Sequence, residues 1–313
     1  MTTSPAWHAR PWQALAERLQ GGALAHALLL VGPARLGKRD FAARLLRALL
    51  CRDRRPDGDA CGRCRDCVLL AAGTHPDIRR VELGLRDDGR PRTEIVIEQI
   101  RELGEFLALT PQRGGAQVAL IDPADHLNVN AANALLKTLE EPAAGRFLVL
   151  VADQPTRLPA TVRSRCMRFE FRLPARHEAM AWLQGEGIAA EAAAQALDSA
   201  AGNPGLARAM LEEGLLELRE AVARDLGALA GGRAPVAAVA KAWADDRPDL
   251  RLAFAAELAS LRARDHALTD PALFHKLERW FDRAGRAREW VPTPVRTDLV
   301  LTELLVDWPR SAA

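Results

Sequence analysis

Ala27-Leu28-Leu29-Leu30-Val31-Gly32-Pro33-Ala34-Arg35-Leu36-Gly37-Lys38-Arg39 decides how this chain is read. Five apolar residues run into a loop bounded by Gly32 and Gly37, and a helical stretch follows the lysine. A working phosphate-binding loop has the form G-x-x-x-x-G-K-[ST]: backbone amides cradle phosphates, the lysine reaches the terminal ones, and the hydroxyl ligates Mg²⁺. Here Arg39 stands at the hydroxyl position and cannot ligate a cation. The strand–loop–helix setting favours a true phosphate loop over a chance glycine turn, and Gly32, Gly37 and Lys38 are its candidate binding residues.

Working outward, candidate buried strands are Asp77–Glu82, Val118–Asp122, Phe147–Ala152 and Met167–Phe171, besides Ala27–Val31. Helical patterns lie between them at Phe41–Leu50, Glu98–Leu107 and Ala131–Glu141, the last stopped by Pro142. Strands separated by helices imply an α/β domain with a five-stranded parallel sheet covered on both faces. In such sheets ligands bind at the carboxyl ends of the strands, which is where the loop falls. After Pro174 the strand signals stop. Helices are predicted at Glu178–Gln184, at Ala189–Ala200 and after Gly202-Asn203-Pro204-Gly205, then at Leu215–Leu229, Pro248–Arg262, Pro271–Arg286 and Val295–Trp308. Breaks are expected at Gly231-Gly232, at Asp246-Arg247-Pro248 and at Pro292–Pro294. The expected division is therefore 1–172 for the α/β domain, 173–212 for a small helical lid, and 213–313 for a larger all-α domain.

Val118-Ala119-Leu120-Ile121-Asp122 has the form of the strand whose terminal aspartate orders a magnesium shell in P-loop ATPases, so Asp122 joins the candidate nucleotide residues. The next residue is Pro123, which can neither accept a proton nor orient a water. Cys51, Cys61, Cys64 and Cys67 form a second constellation, Cys-x9-Cys-x2-Cys-x2-Cys. Four thiolates suit a closed tetrahedral zinc site, structural rather than hydrolytic; free thiols or redox and iron–sulfur chemistry are the alternatives. A third stretch, Leu158-Pro159-Ala160-Thr161-Val162-Arg163-Ser164-Arg165-Cys166, precedes the last strand. From the residues alone, its arginines are solvated surface or carboxylate partners. His26 and His75 read as packing or capping residues.

Composition narrows the class. The chain has 313 residues, 49% hydrophobic and 27% charged, which is ordinary for a soluble globular protein and long enough for two or three domains. With 43 basic against 41 acidic residues, the net charge of +2 argues against gripping DNA by bulk charge. No apolar run approaches the roughly 18 residues of a membrane span. Met1–Arg10 lacks a basic-then-apolar leader pattern, so the expected location is the cytoplasm, without membrane contact.

Taken together, Ser164-Arg165-Cys166 after Leu158-Pro159, the run Asn133-Ala134-Leu135-Leu136-Lys137-Thr138-Leu139-Glu140-Glu141-Pro142, and the four-cysteine insert resemble bacterial clamp-loader subunits of the AAA+ class. Ala72-Gly73-Thr74-His75-Pro76-Asp77 and the opening Trp12…His26-Ala27-Leu28-Leu29 fit the same family. The likeness is strong over about the first 170 residues, moderate over the lid, and compositional beyond it. It implies a P-loop AAA+ domain with a zinc insert at 51–67, a lid, and a C-terminal helical collar through which subunits oligomerise. It implies one structural Zn²⁺ per chain, and a hetero-oligomer with ATP-hydrolysing motor subunits and the delta subunit. Through that complex come the sliding clamp and primed DNA, within a DNA-directed DNA polymerase holoenzyme. It also implies that Arg165, supported by Ser164 and with Cys166 packed beneath, reaches a neighbour's ATP as a trans arginine finger. Motor members keep Ser or Thr after the loop lysine and Glu after the strand aspartate. This chain has Arg39 and Pro123, Gly205 where a sensing arginine stands, and Ala152-Asp153 where a sensor threonine stands. The expectation is a chain that binds ATP weakly or not at all and does not hydrolyse it. The alternatives are an active motor subunit and an unrelated zinc-dependent nucleic-acid-binding module.

Overall fold

The computed structural model describes residues 5–85, 89–90, 92–291, 293 and 295–308, apart from the side chain of Glu289. Met1–Ser4 of the leader comparison and the helix breakers Pro292 and Pro294 lie outside the described residues. The chain divides into two compact units, 1–208 and 209–313.

In the first unit the order is α1 (Ala9–Gln20), β1 (Ala27–Val31), α2 (Lys38–Leu50), α3 (Arg65–Ala71), β2 (Ile78–Val81), α4 (Ile97–Ala108), β3 (Gln117–Ile121), α5 (Val129–Glu140), β4 (Arg146–Ala152), α6 (Ala160–Arg163) and β5 (Met167–Glu170). The helices α7 (Arg176–Gly185), α8 (Ala190–Ser199) and α9 (Pro204–Glu212) follow, α9 running across the division. All five predicted strands are present and within about two residues of the expected limits. They form a parallel sheet in the order β2-β3-β4-β1-β5. Because side chains alternate along a strand, β1 sends Ala27, Leu29 and Val31 into one core with α4 and α5. Leu28 and Leu30 enter the other, with α1 and α2. The unbroken apolar runs of β1, β3 and β4 are thus explained by burial on both faces, while β2 and β5, at the edges, carry exposed charged residues.

Three helices of this unit were not expected: α1, α3 and the single turn α6. The helix α1 packs Trp12 and Leu15 against α2 and the sheet, and α3 begins inside the cysteine insert. In α5 the helix start is set locally: the Asn128 side chain at its N-cap accepts from the Ala131 amide at 2.9 Å, while Ala131, Ala132, Leu135 and Leu139 are buried.

The second unit is helical among its described residues: α10 (Leu215–Ala230), α11 (Val236–Asp245), α12 (Pro248–His266), α13 (Pro271–Trp290) and α14 (Thr297–Val306). Proline at the first helical position starts α12 and α13, and Asp270 caps α13 by accepting from Leu273 N at 3.0 Å. The helix α11, hidden between the expected breaks, brings the fully buried Trp243, whose indole donates to Asp225 at 2.8 Å. Trp280 donates to Leu304 O and Trp308 to Leu226 O, and the two rings meet edge to face 4.7 Å apart. Among the described residues no helix is long and apolar enough to cross a membrane.

Candidate functional site

The register of the sheet assembles the loop site. Val31, the last residue of β1, pairs with Ala152, so Gly32 and Asp153 leave the same edge side by side. Ile121 pairs with Leu150, which brings Asp122 to that edge as well. Gly32 has φ +144° and a Cβ there would lie 2.2 Å from Phe171 O, so only glycine lets the loop leave β1 beside β5. Gly37, at φ +81°, hands the chain to α2 and lies against the His8 ring. His8 is buried, its Nε2–H donating to Leu36 O at 2.8 Å, and burial pushes its pKa below the usual imidazole value. Trp7 donates to the same carbonyl at 3.2 Å and packs edge-on to Trp182 of α7.

Inside the loop the chain supplies its own anions. Lys38 is buried, and its ammonium donates to Gly32 O at 2.7 Å and Pro33 O at 2.6 Å while pairing with Asp153 Oδ1 at 2.6 Å. Two ammonium protons thus go to loop carbonyls, and the charge is balanced by the Asp153 ion pair. Burial lowers the Lys38 pKa, and the Asp153 carboxylate opposes that shift. Arg39, half exposed, donates to Asp122 Oδ2 at 2.8 Å and lies 3.7 Å from Asp153 Oδ2. Burial raises the Asp122 pKa, with Arg39 working the other way. Asp125 is buried and accepts from the amides of Asp153 and Gln154 at 3.1 and 2.7 Å, so it holds the Asp153 turn in place. Two cations thus face three carboxylates.

The start of α9 closes over this loop. Asn203 donates to Ala34 O at 2.9 Å and its own Oδ1 caps α9 by accepting from Leu206 N at 3.1 Å. Gly205 lies so close that a Cβ there would sit 1.7 Å from Arg35 O. Gly205 and Asp153, departures from the motor pattern in the sequence, here have contacts: one seats the start of α9 on the loop and the other pairs with the lysine, a contact set by strand register.

Arg165 lies at the opposite, amino end of the strands. Met167 pairs with Leu28 near the start of β1, so Arg165 precedes the amino end of β5 while the loop follows the carboxyl end of β1. At about 3.3 Å per residue the two are separated by roughly 15–20 Å along the sheet. Arg165 is partly exposed; Nη2 pairs with Glu140 Oε1 at 2.6 Å and Nη1 donates to Thr161 O at 2.9 Å. Ser164 Oγ donates to the same carbonyl at 3.2 Å. Cys166 packs against the α4–α5 core, and burial raises its pKa to about 12. It is not brought near the other cysteines.

Those four do come together. The sulfurs of Cys51, Cys61, Cys64 and Cys67 all lie within 4.8 Å of one another, and Cys51–Cys64 and Cys61–Cys67 are each 3.9 Å apart. Ligands at 2.3 Å in a tetrahedron are about 3.8 Å apart, so the set fits a four-thiolate metal ion. Gly62, at φ +74°, makes the turn that lets the amides of Arg63 and Cys64 donate to Cys61 Sγ at 3.5 and 3.2 Å. Those two amides lower the Cys61 pKa to about 6 and favour the thiolate. Cys64 caps α3, accepting from Cys67 N, and Cys61 N donates to Cys51 Sγ at 3.3 Å. The insert is fastened to the sheet through buried Asp66, which lies 2.8 Å from Arg113, 3.1 Å from Arg52 and 3.4 Å from His75. His26, by contrast, reaches Leu139 O at 3.0 Å and ties β1 to α5.

The profile of the family described as "DNA polymerase III, delta subunit" matches residues 7–175. A Pseudomonas aeruginosa protein named DNA polymerase III subunit delta' is 40% identical over 237 residues, covering 74% of this chain and 70% of its own. The Escherichia coli protein of the same name is 35% identical, over 70% of this chain and 64% of its own. A Salmonella typhimurium DNA polymerase III subunit tau is 34% identical over 63% of this chain and 30% of its own.

Proposed function

The chain belongs to the delta-prime family of DNA polymerase III clamp-loader proteins, and we propose that within the polymerase complex it is a subunit that does not hydrolyse ATP. It lends Arg165 to the ATP site of a neighbouring motor subunit. One observation carries this reading: Lys38 donates to Gly32 O and Pro33 O and is ion-paired with Asp153, and Arg39 lies on Asp122 where a magnesium ligand would stand. A triphosphate entering this loop must displace two carboxylates already seated on its cations, without a hydroxyl for the metal.

Arg165 cannot serve its own loop, because it stands across the sheet from it. A permanently charged planar fork at a partly exposed edge suits phosphate oxygens on another chain. Placed there, it stabilises charge on the transferring phosphoryl group, an effect on the order of 10³–10⁵ in related enzymes. Ser164 fastens the connection, and Cys166 anchors it to the core. The partners in this reading are motor subunits and the delta subunit, with sliding clamp and primed DNA reached through the assembly, in the cytoplasm. The four cysteines hold one structural zinc, which organises the 51–67 insert and takes no part in hydrolysis. Residues 173–212 act as the lid and 213–313 as the oligomerising collar.

Equilibrium titration of the purified chain with labelled ATP and Mg²⁺ is expected to show negligible binding at concentrations that saturate a motor subunit. Tight binding with turnover would restore the motor alternative. In the reconstituted assembly, Arg165→Ala is expected to lower ATP turnover strongly while the complex still forms; unchanged turnover would remove the finger.

A further inference from the structure

Arg165 sits on a short connection, and an unrestrained arginine there would sample many rotamers. Two rigid elements prevent this. Glu140, the last residue of α5, pairs with Nη2 at 2.6 Å, and Thr161 of α6 accepts from Nη1 at 2.9 Å. Both supports are fixed from below, since Leu135, Leu139 and Val162 are buried in the core shared by α4 and α5. The guanidinium has five N–H donors, so three stay available to a ligand.

Glu140 is also placed against local preference. The carboxyl end of a helix carries the negative end of its dipole and favours cations, yet α5 finishes on an acidic residue. A local rule broken on a helix end, and compensated by one defined partner, points to a selected role for that partner.

We propose that Glu140 is the positioning residue for Arg165: with the Thr161 carbonyl, it holds the guanidinium in a single exposed pose, ready for a neighbour's phosphates. This rests on the trans-finger reading above. Glu140 does not touch the phosphates; it removes the conformational search that the arginine would otherwise make in each cycle. A carboxylate that merely parked the arginine away from the neighbour would have the opposite kinetic signature.

The test uses the reconstituted clamp-loader assembly, with co-elution checked for every variant, and steady-state ATP hydrolysis in the presence of primed DNA and clamp. Glu140→Gln and Glu140→Ala are expected to lower kcat about two- to fivefold with little change in KM, the scale of one exposed ion pair. Glu140→Asp should recover part of that loss. On the Arg165→Ala background, Glu140→Gln should have no further effect, because its action passes through the arginine. If Arg165→Ala is slow but Glu140→Gln matches or exceeds wild type, positioning by Glu140 is wrong while the finger stands. A further loss on the Arg165→Ala background would show a general structural role and overturn the inference too. An unaffected Arg165→Ala would bring down the finger, and this inference with it.

Discussion

At the residue scale, Asp153 carries the consequence that single positions hide. Removing it leaves a buried ammonium with only two carbonyl partners. Because Asp153 is partly exposed, Asp153→Ala should cost about 2–3 kcal/mol, at the lower end for a broken buried pair. Chemical denaturation measures this, and Lys38→Met in the same background should recover much of the loss by removing the orphaned charge. A loss that persists in full in the double variant would show that Asp153 acts through its neighbours and not through Lys38. Gly32, Lys38, Asp122 and the four cysteines could be picked out by type and spacing, because each is defined by what precedes and follows it. The partner of Lys38 could not, since that contact depends on which strand lies beside β1.

Elements were legible where their pattern was self-sufficient. The strands β1, β3 and β4 carry continuous apolar runs, whereas β2 and β5 interleave Arg79, Arg80, Arg168 and Glu170 with apolar residues and give a weaker signal. The helix α1 was missed because its buried side rests on a few residues, Trp12, Leu15 and Ala16, among polar neighbours. The helix α3 was missed because its seven residues lie within the cysteine spacing and its N-cap is Cys64, not an ordinary capping residue. The helix α9 was foreseen, but its contact with the loop was not. Gly205→Ala tests that contact with a sign that helix propensity alone gets wrong. Alanine favours helix over glycine by about 1 kcal/mol. The added methyl would collide with Arg35 O, so the variant should instead be less stable, by about 1–3 kcal/mol as in other overpacked sites. Hydrogen exchange should rise at 202–206 and in the loop 32–37. A stabilised variant with unchanged exchange would refute close seating of α9.

At the scale of the whole molecule, two compact units predict two separable unfolding events. The four cysteines lie in the first unit only. Stripping the metal with a chelator should therefore lower the melting temperature of one transition and leave the other in place. Metal analysis before treatment should give about one zinc per chain. If both transitions moved equally, or neither did, the structural role given to the metal would be wrong. Net charge and composition bounded this level only loosely; the near balance of 43 and 41 spoke against a DNA-gripping module but could not say which faces meet partners. The separation of Arg165 from the loop, at opposite ends of the neighbouring strands β1 and β5, says more. A contact in which one chain gives at its amino edge and the next receives at its carboxyl edge has a direction, as head-to-tail contacts do. A member able to give but not to receive can only occupy a terminal place in such a queue, so under the proposed role this chain marks where the succession of firing sites stops.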